Sequence, residues 1–150
     1  MNIEEMIFKV RDALASDQDL TNWCREKFSR PPIILTGVDD NNPPAETDYP
    51  VIAIIDVTCR RGNTRGRISI DVTLGCGVVQ ETIEHDAAAG TRTCLGFIQA
   101  ETLRSLTEEA LAKARFARLT FLGDTAGISS FPEFVSFTTI TIETVSERRR

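Results

Sequence analysis

Between Pro50 and Val79 the chain holds two β-rich runs on either side of a glycine-bearing turn, and no other stretch restricts the fold so tightly. Residues 51–58 are crowded with β-branched side chains. Ile68, Ile70, Val72 and Leu74 then alternate with Ser69, Asp71, Thr73 and Gly75, the period of a strand with one buried and one wet face. Gly62-Asn63 and Gly66 supply the positive-φ positions that a tight reversal needs. The spacing predicts one long β-hairpin over 51–79, turning near Asn63, with Cys59 opposite about Ile68 and Cys76 opposite about Val51. Gly75 and Gly77 weaken the far end of the second strand and mark a bulge or a close backbone approach.

The tip of this hairpin carries Arg60, Arg61, Arg65 and Arg67, although the net charge of the chain is −5. Three roles compete for such a cluster. It can keep a protruding edge solvated, contact phosphates, or dock onto carboxylates of a protein. A pI near 4.9 and the lack of interleaved aromatic residues weigh against a dedicated nucleic-acid binder. The same chain offers an acidic counterpart in Asp39, Asp40, Glu46 and Asp48, which flank the Pro43-Pro44 pair. Residues 38–49 show no periodicity and are expected to form a long, mobile, acidic loop suited to binding. These eight residues are the candidate interface.

The remaining pattern predicts the other elements. Asn2 and Glu5 form a capping pair before Ile3, Met6, Ile7, Val10 and Leu14, which recur at helical spacing. A second helix is expected after Ser16 as its cap, with Leu20, Trp23, Cys24 and Phe28 on one face and Pro31-Pro32 as its stop. Residues 33–36 read as a strand. Residues 78–97 lack a clear period and read as irregular, with at most a strand at 78–83. A helix resumes at about Gln99 with a stripe of Leu103, Leu106, Ala110, Leu111 and Ala114. Strands follow at 117–122 and 134–145, separated by a turn at 123–130, and a slip in alternation between Phe137 and Ile140 predicts a bulge near Thr138 or Thr139. The charged tail is 147–150.

This order predicts a single α+β domain over residues 1–150, built on a mainly antiparallel sheet with a long β-hairpin and helices packed on one face. At 150 residues the chain has the length of one domain. No apolar run approaches the roughly 20 residues that span a bilayer, and the amino-terminal segment lacks the apolar core of a signal peptide, so no membrane partner is expected and the chain is expected to stay in the cytoplasm.

Candidate chemistry is sparse. His85, next to Asp86, is the only histidine, and a hydrolase or transferase would have to bring Cys94 or Cys59 to it. Cys24, Cys59, Cys76 and Cys94 form no CxxC pair and are expected to be free, buried thiols. One histidine with dispersed cysteines makes no metal cluster, and the acidic loop lacks the regular spacing of a calcium loop. Gly75-Cys76-Gly77 is not followed by the residues of a phosphate-cradling loop. No catalytic residue, metal or cofactor is expected.

An amphipathic first helix, a proline-rich acidic loop closing with Tyr49-Pro50-Val51-Ile52, a long hairpin, a late helix and a final strand announced by Phe131-Pro132-Glu133-Phe134 run in this order. In that order and in length the chain resembles the tail terminator, or tail completion, proteins of tailed phages and prophages. The resemblance implies an α+β subunit without enzymatic activity or cofactor, which forms a ring, commonly a hexamer, at the head-proximal end of a tail tube. Its partners would be copies of itself, the tail tube protein and a head-completion or neck protein, with assembly in the host cytoplasm and residence in the virion tail. A neck or head-completion adaptor would share this size, charge and fold class, and the small cysteine-dependent hydrolase is the rival from another class.

Overall fold

The computed structural model describes residues 2–61, 67–116 and 118–145, with the backbone alone at 61, 67, 123–129, 144 and 145. Arg65 and the turn around Asn63 lie outside the described residues, as does the charged tail. Strand β1 (Ile33–Thr36), β2 (Val51–Arg61), β3 (Arg67–Val79), β6 (Arg118–Ser130) and β7 (Glu133–Val145) form one sheet in the order β1-β2-β3-β7-β6. All neighbours are antiparallel except β1, which runs parallel to β2. The short strands β4 (Ile83–Asp86) and β5 (Thr91–Cys94) make a separate two-stranded hairpin. Helices α1 (Ile3–Ser16), α2 (Gln18–Phe28) and α3 (Leu95–Lys113) complete the domain, whose class is α+β as the sequence predicts.

The core is built from the inward-facing residues of three strands. Ile52 and Ile54 of β2, Ile70, Val72, Leu74, Cys76 and Val78 of β3, and Phe134, Ile140 and Ile142 of β7 pack with Met6, Val10, Leu14, Leu20, Cys24, Leu103 and Leu111 of the helices. One face of the sheet is thus sealed by the helices. The interfaces are seated by polar clamps. Arg104 on α3 donates to Glu101 (2.8 Å), Glu108 (2.8 Å) and the Ser136 hydroxyl of β7 (3.1 Å). The Arg104 guanidinium, with help from Ser136, holds the Glu101 carboxyl below its ordinary range. Thr107, buried between α3 and β3, accepts from the Cys76 thiol and donates to the Leu103 carbonyl. At the other end of α3, Lys113 reaches Asp17 (2.9 Å) and Asp19 (3.0 Å) on α2.

A β-bulge decides what the second face carries. Ile54 pairs with Leu74 and Asp56 with Thr73, so Ile55 has no partner, and Ile55 and Asp56 both lie away from the helices. This extra residue shifts the register by one position on its far side from the tip, and the hairpin turns further along the chain than the sequence spacing put it. Cys59 stands opposite Ile70 and Cys76 opposite Ile52, where the sequence spacing put Ile68 and Val51.

Several other expectations are corrected. The capping box of Asn2 and Glu5 is present on α1, but α2 is capped by Asp17, whose carboxylate accepts from the Leu20 amide (2.9 Å), and not by Ser16. Residues 78–97 are not irregular. They finish β3, form the β4–β5 hairpin and begin α3 at Leu95, four residues before Gln99. Residues 123–130 continue β6 instead of turning. The bulge expected in β7 is absent, because β3 and β7 pair without interruption and Ser136 and Thr138 fill inward positions in the alternation. The extra residues lie in β6, between Leu122 and Thr125 and between Thr125 and Ile128. The cysteines are free, but only Cys24 and Cys76 are buried, while Cys94 is half-buried and Cys59 exposed.

Because Leu103 is fully buried where α3 meets the sheet, Leu103→Ala should lower stability by about 2–5 kcal/mol in urea unfolding with an unchanged slope. Ile98→Ala, on the exposed side of the same helix, should stay within about 0.5 kcal/mol of the native protein. Equal losses at the two sites would contradict this packing.

Candidate functional site

The outer face of the sheet, which no helix covers, divides into a polar upper half and an apolar lower half at the Ile55 bulge. Above it, Asp56, Thr58 and Arg60 of β2 line up with Ser69, Asp71 and Thr73 of β3. Arg60 donates to Asp71 across the strands (2.9 Å), and Asp71 also accepts from the Thr141 hydroxyl of β7 (2.7 Å). The arginine side chain remains 58% exposed, so the pair contributes at most about 1 kcal/mol and serves to orient Arg60. Of the four candidate arginines, Arg60 alone has a described side chain. Arg61 pairs with Ile68 and Arg67 with Val145 through the backbone.

Below the bulge, β1 ends where the Gly37 amide donates to the Ile54 carbonyl (2.9 Å), and the acidic loop leaves the sheet. Two of its carboxylates build turns. Asp39 accepts from the Asn41 amide (3.0 Å), and Asp48 accepts from the Ala45 amide (2.8 Å) at the 3-10 turn Glu46–Asp48. Asp40 and Glu46 are exposed. Among the described residues, none of the four forms an ion pair.

The loop also walls an apolar groove of about 210 Å³. Leu35, Val38, Pro43 and Pro44 face Tyr49, Ile55 and Val135 across a floor that includes Gly75 and Gly77. The floor leaves little room for a side chain at Gly75, where the mobile end of Ile55 would have to shift, and none at Gly77. A Cβ on Gly75 would stand 2.7 Å from Ile55 Cδ1, and one on Gly77 would stand 2.9 Å from the Tyr49 ring. The Tyr49 ring therefore lies against Gly77 of β3, and its hydroxyl donates to Glu133 at the start of β7 (2.9 Å). Burial pushes the phenol up to about 12, reinforced by Glu133 and by the charge of Asp48.

The structure brings the candidate acids to one end of the sheet and Arg60 towards the other. From the strand positions next to the loop, Ile54 and Val51, six to nine residues of β2 lead to Arg60, a span of about 20–30 Å. The candidate arginine and the acids do not meet within a subunit. The residues missed by sequence reasoning are Tyr49, Ile55 and Glu133. The close approach expected at Gly75 and Gly77 is present, and it pointed to the right place without identifying what approaches.

His85 lies in β4 opposite Arg92, and Cys94 stands two residues further along β5. Among the described residues no hydrogen bond joins the two, and Asp86 caps the Ala89 amide instead of orienting the imidazole (3.1 Å). Burial pushes the Cys24 and Cys76 thiols up to about 12, which keeps both in the poorly nucleophilic protonated form. Among the described residues no three His, Cys, Asp or Glu side chains are grouped to hold a metal ion. Comparison of the chain with models of protein families, and with curated proteins, returned no match.

Tyr49 is the only tyrosine, so tyrosinate absorbance reports on this groove without interference. The folded protein should titrate near pH 12, and the protein in urea near 10.0. Folding favours the neutral phenol here, so above pH 10 the unfolded chain loses a proton that the folded chain keeps, and stability should fall as pH rises from 10 towards 12. Glu133→Gln should move the folded midpoint down. A folded midpoint at the ordinary value would contradict this placement of the ring.

Proposed function

We propose that this chain is a structural assembly subunit of a phage or prophage tail, a terminator that closes into a ring on the end of the tail tube and offers a surface for the head-completion or neck protein. The observation that carries the reading is the separation of opposite charge along one strand. Positive charge gathers in the sequence at the hairpin end, at Arg60, Arg61, Arg65 and Arg67, and the acidic loop sits at the other end of β2. Two patches of opposite charge, with Arg60 about 20–30 Å of strand away from the acidic loop, suit a heterologous contact between copies. Such contacts close into rings when their rotation allows, whereas a two-fold dimer needs one self-complementary patch. The element order that resembles the tail terminators supports the same reading, with six copies as the expected number.

Each exposed charge pair contributes little, about 0–1 kcal/mol, so the free subunit should be a monomer at low concentration and assemble when concentrated or when a tube end templates it. Screening is strong between exposed groups, so salt should reverse assembly. Reversing Arg61 and Arg65 to Glu should leave folding intact, hold the mass measured by light scattering at that of a monomer, and yield tails of irregular length in particles counted by electron microscopy. Assembly and tail length identical to those of the native protein would overturn the proposal.

A further inference from the structure

The groove under the acidic loop has the chemistry of an arginine receptor. It combines an apolar floor, an aromatic ring and the Glu133 carboxylate in its lining, with Asp48 next to the ring in sequence, and it lies on a sheet face that no helix covers. The Tyr49 ring is half-buried, held over Gly77 by its hydrogen bond to Glu133, and Asp48 immediately precedes it. Neither Asp48 nor Glu133 forms an ion pair among the described residues. A guanidinium stacks on an aromatic face while its methylene stem covers apolar surface and its N–H groups reach carboxylates beside the ring. Val38 and Ile55, 42% and 45% exposed, offer the apolar surface for that stem.

We infer that this groove receives an arginine side chain from the β2–β3 hairpin of a second copy of the chain. Charge selects the occupant. The groove end is acidic through Asp39, Asp40, Glu46, Asp48 and Glu133, and the densest positive charge outside the tail is the four arginines within eight residues at the hairpin. Size agrees with charge, because a groove of about 210 Å³ has room for one long side chain and not for a helix. The inference rests on the reading that copies associate head to tail, and it adds where the head of one copy sits on the next.

The exposed Cys59, next to Arg60, provides a natural cross-linking handle. Ala45→Cys places a second thiol on the acidic loop, far from Cys59 of the same molecule, so a short bis-maleimide can join the two positions only between copies. The full-length variant should give a ladder of cross-linked species at concentrations where light scattering detects assembly. Adding Cys59→Ser should abolish the ladder, and Glu133→Gln should reduce its yield roughly tenfold through loss of a charged hydrogen-bond partner. Ser16→Cys, at the end of α1 on the helical face, should give none. A ladder that ignores Glu133→Gln, or that forms equally from Ser16→Cys, would overturn the groove as receptor. Assembly without any Ala45→Cys ladder would overturn it too, while leaving head-to-tail association in place. A protein that stays monomeric at every concentration, and that gives no ladder when bound to tail tubes either, would overturn both.

Discussion

Strand β3 is hydrogen-bonded on both sides, to β7 along its whole length from Arg67 to Val79 and to β2 from Ile68 to Gly77, and the rest of the molecule is arranged about it. Its inward residues, Ile70, Val72, Leu74, Cys76 and Val78, are all buried under the helices. Its outward residues change character at Gly75. From Ser69 to Thr73 they are polar and form cross-strand hydrogen bonds, including that between the hydroxyls of Thr73 and Thr139 (3.0 Å). At Gly75 and Gly77 they vanish, leaving the floor of a groove. A single strand therefore supplies the core, the base of the arginine hairpin and the groove at the opposite end.

The distance between these ends is what gives the charge pattern its meaning. Had the acidic loop folded over the hairpin, the opposite charges would have neutralised one another within the subunit. The rigidity of a doubly paired strand prevents this. The β1–β2 connection keeps the acids beside Tyr49, and the bulge at Ile55 separates the apolar groove from the polar ladder that leads to Arg60. The polar groups near the core act differently. Arg104, with Glu101, Glu108 and Ser136, ties α3 to β7, and Lys113 ties its other end to α2. Both clamps belong to the scaffold and lie on the helical side, away from the groove.

Much of this architecture was legible in the sequence because alternation is clean wherever one face is sealed. The hairpin, the first helix with its Asn2–Glu5 box and the α+β class follow from period alone. Legibility failed where burial is mixed. The β4–β5 hairpin is largely exposed, so it shows no period, and the first turn of α3 places Phe97 and Ile98 outward, 60% and 49% exposed, which blurs its stripe. Two register shifts in β6 hid its second half. The groove was not legible at all, because it depends on Tyr49 meeting Glu133 across 84 residues and on an unpaired residue in β2, neither of which leaves a local signal. Gly75 and Gly77 were the one trace of it.

On the proposed reading, the two ends of this sheet join neighbouring copies in one direction. Single-particle cryo-electron microscopy of the concentrated protein at low salt tests it most directly. Closed rings are expected, in which every junction is the same and the β2–β3 hairpin of one subunit rests on the groove between Tyr49 and the acidic loop of the next. Two-fold dimers, or rings whose junctions leave both the hairpin and the loop facing solvent, would contradict it.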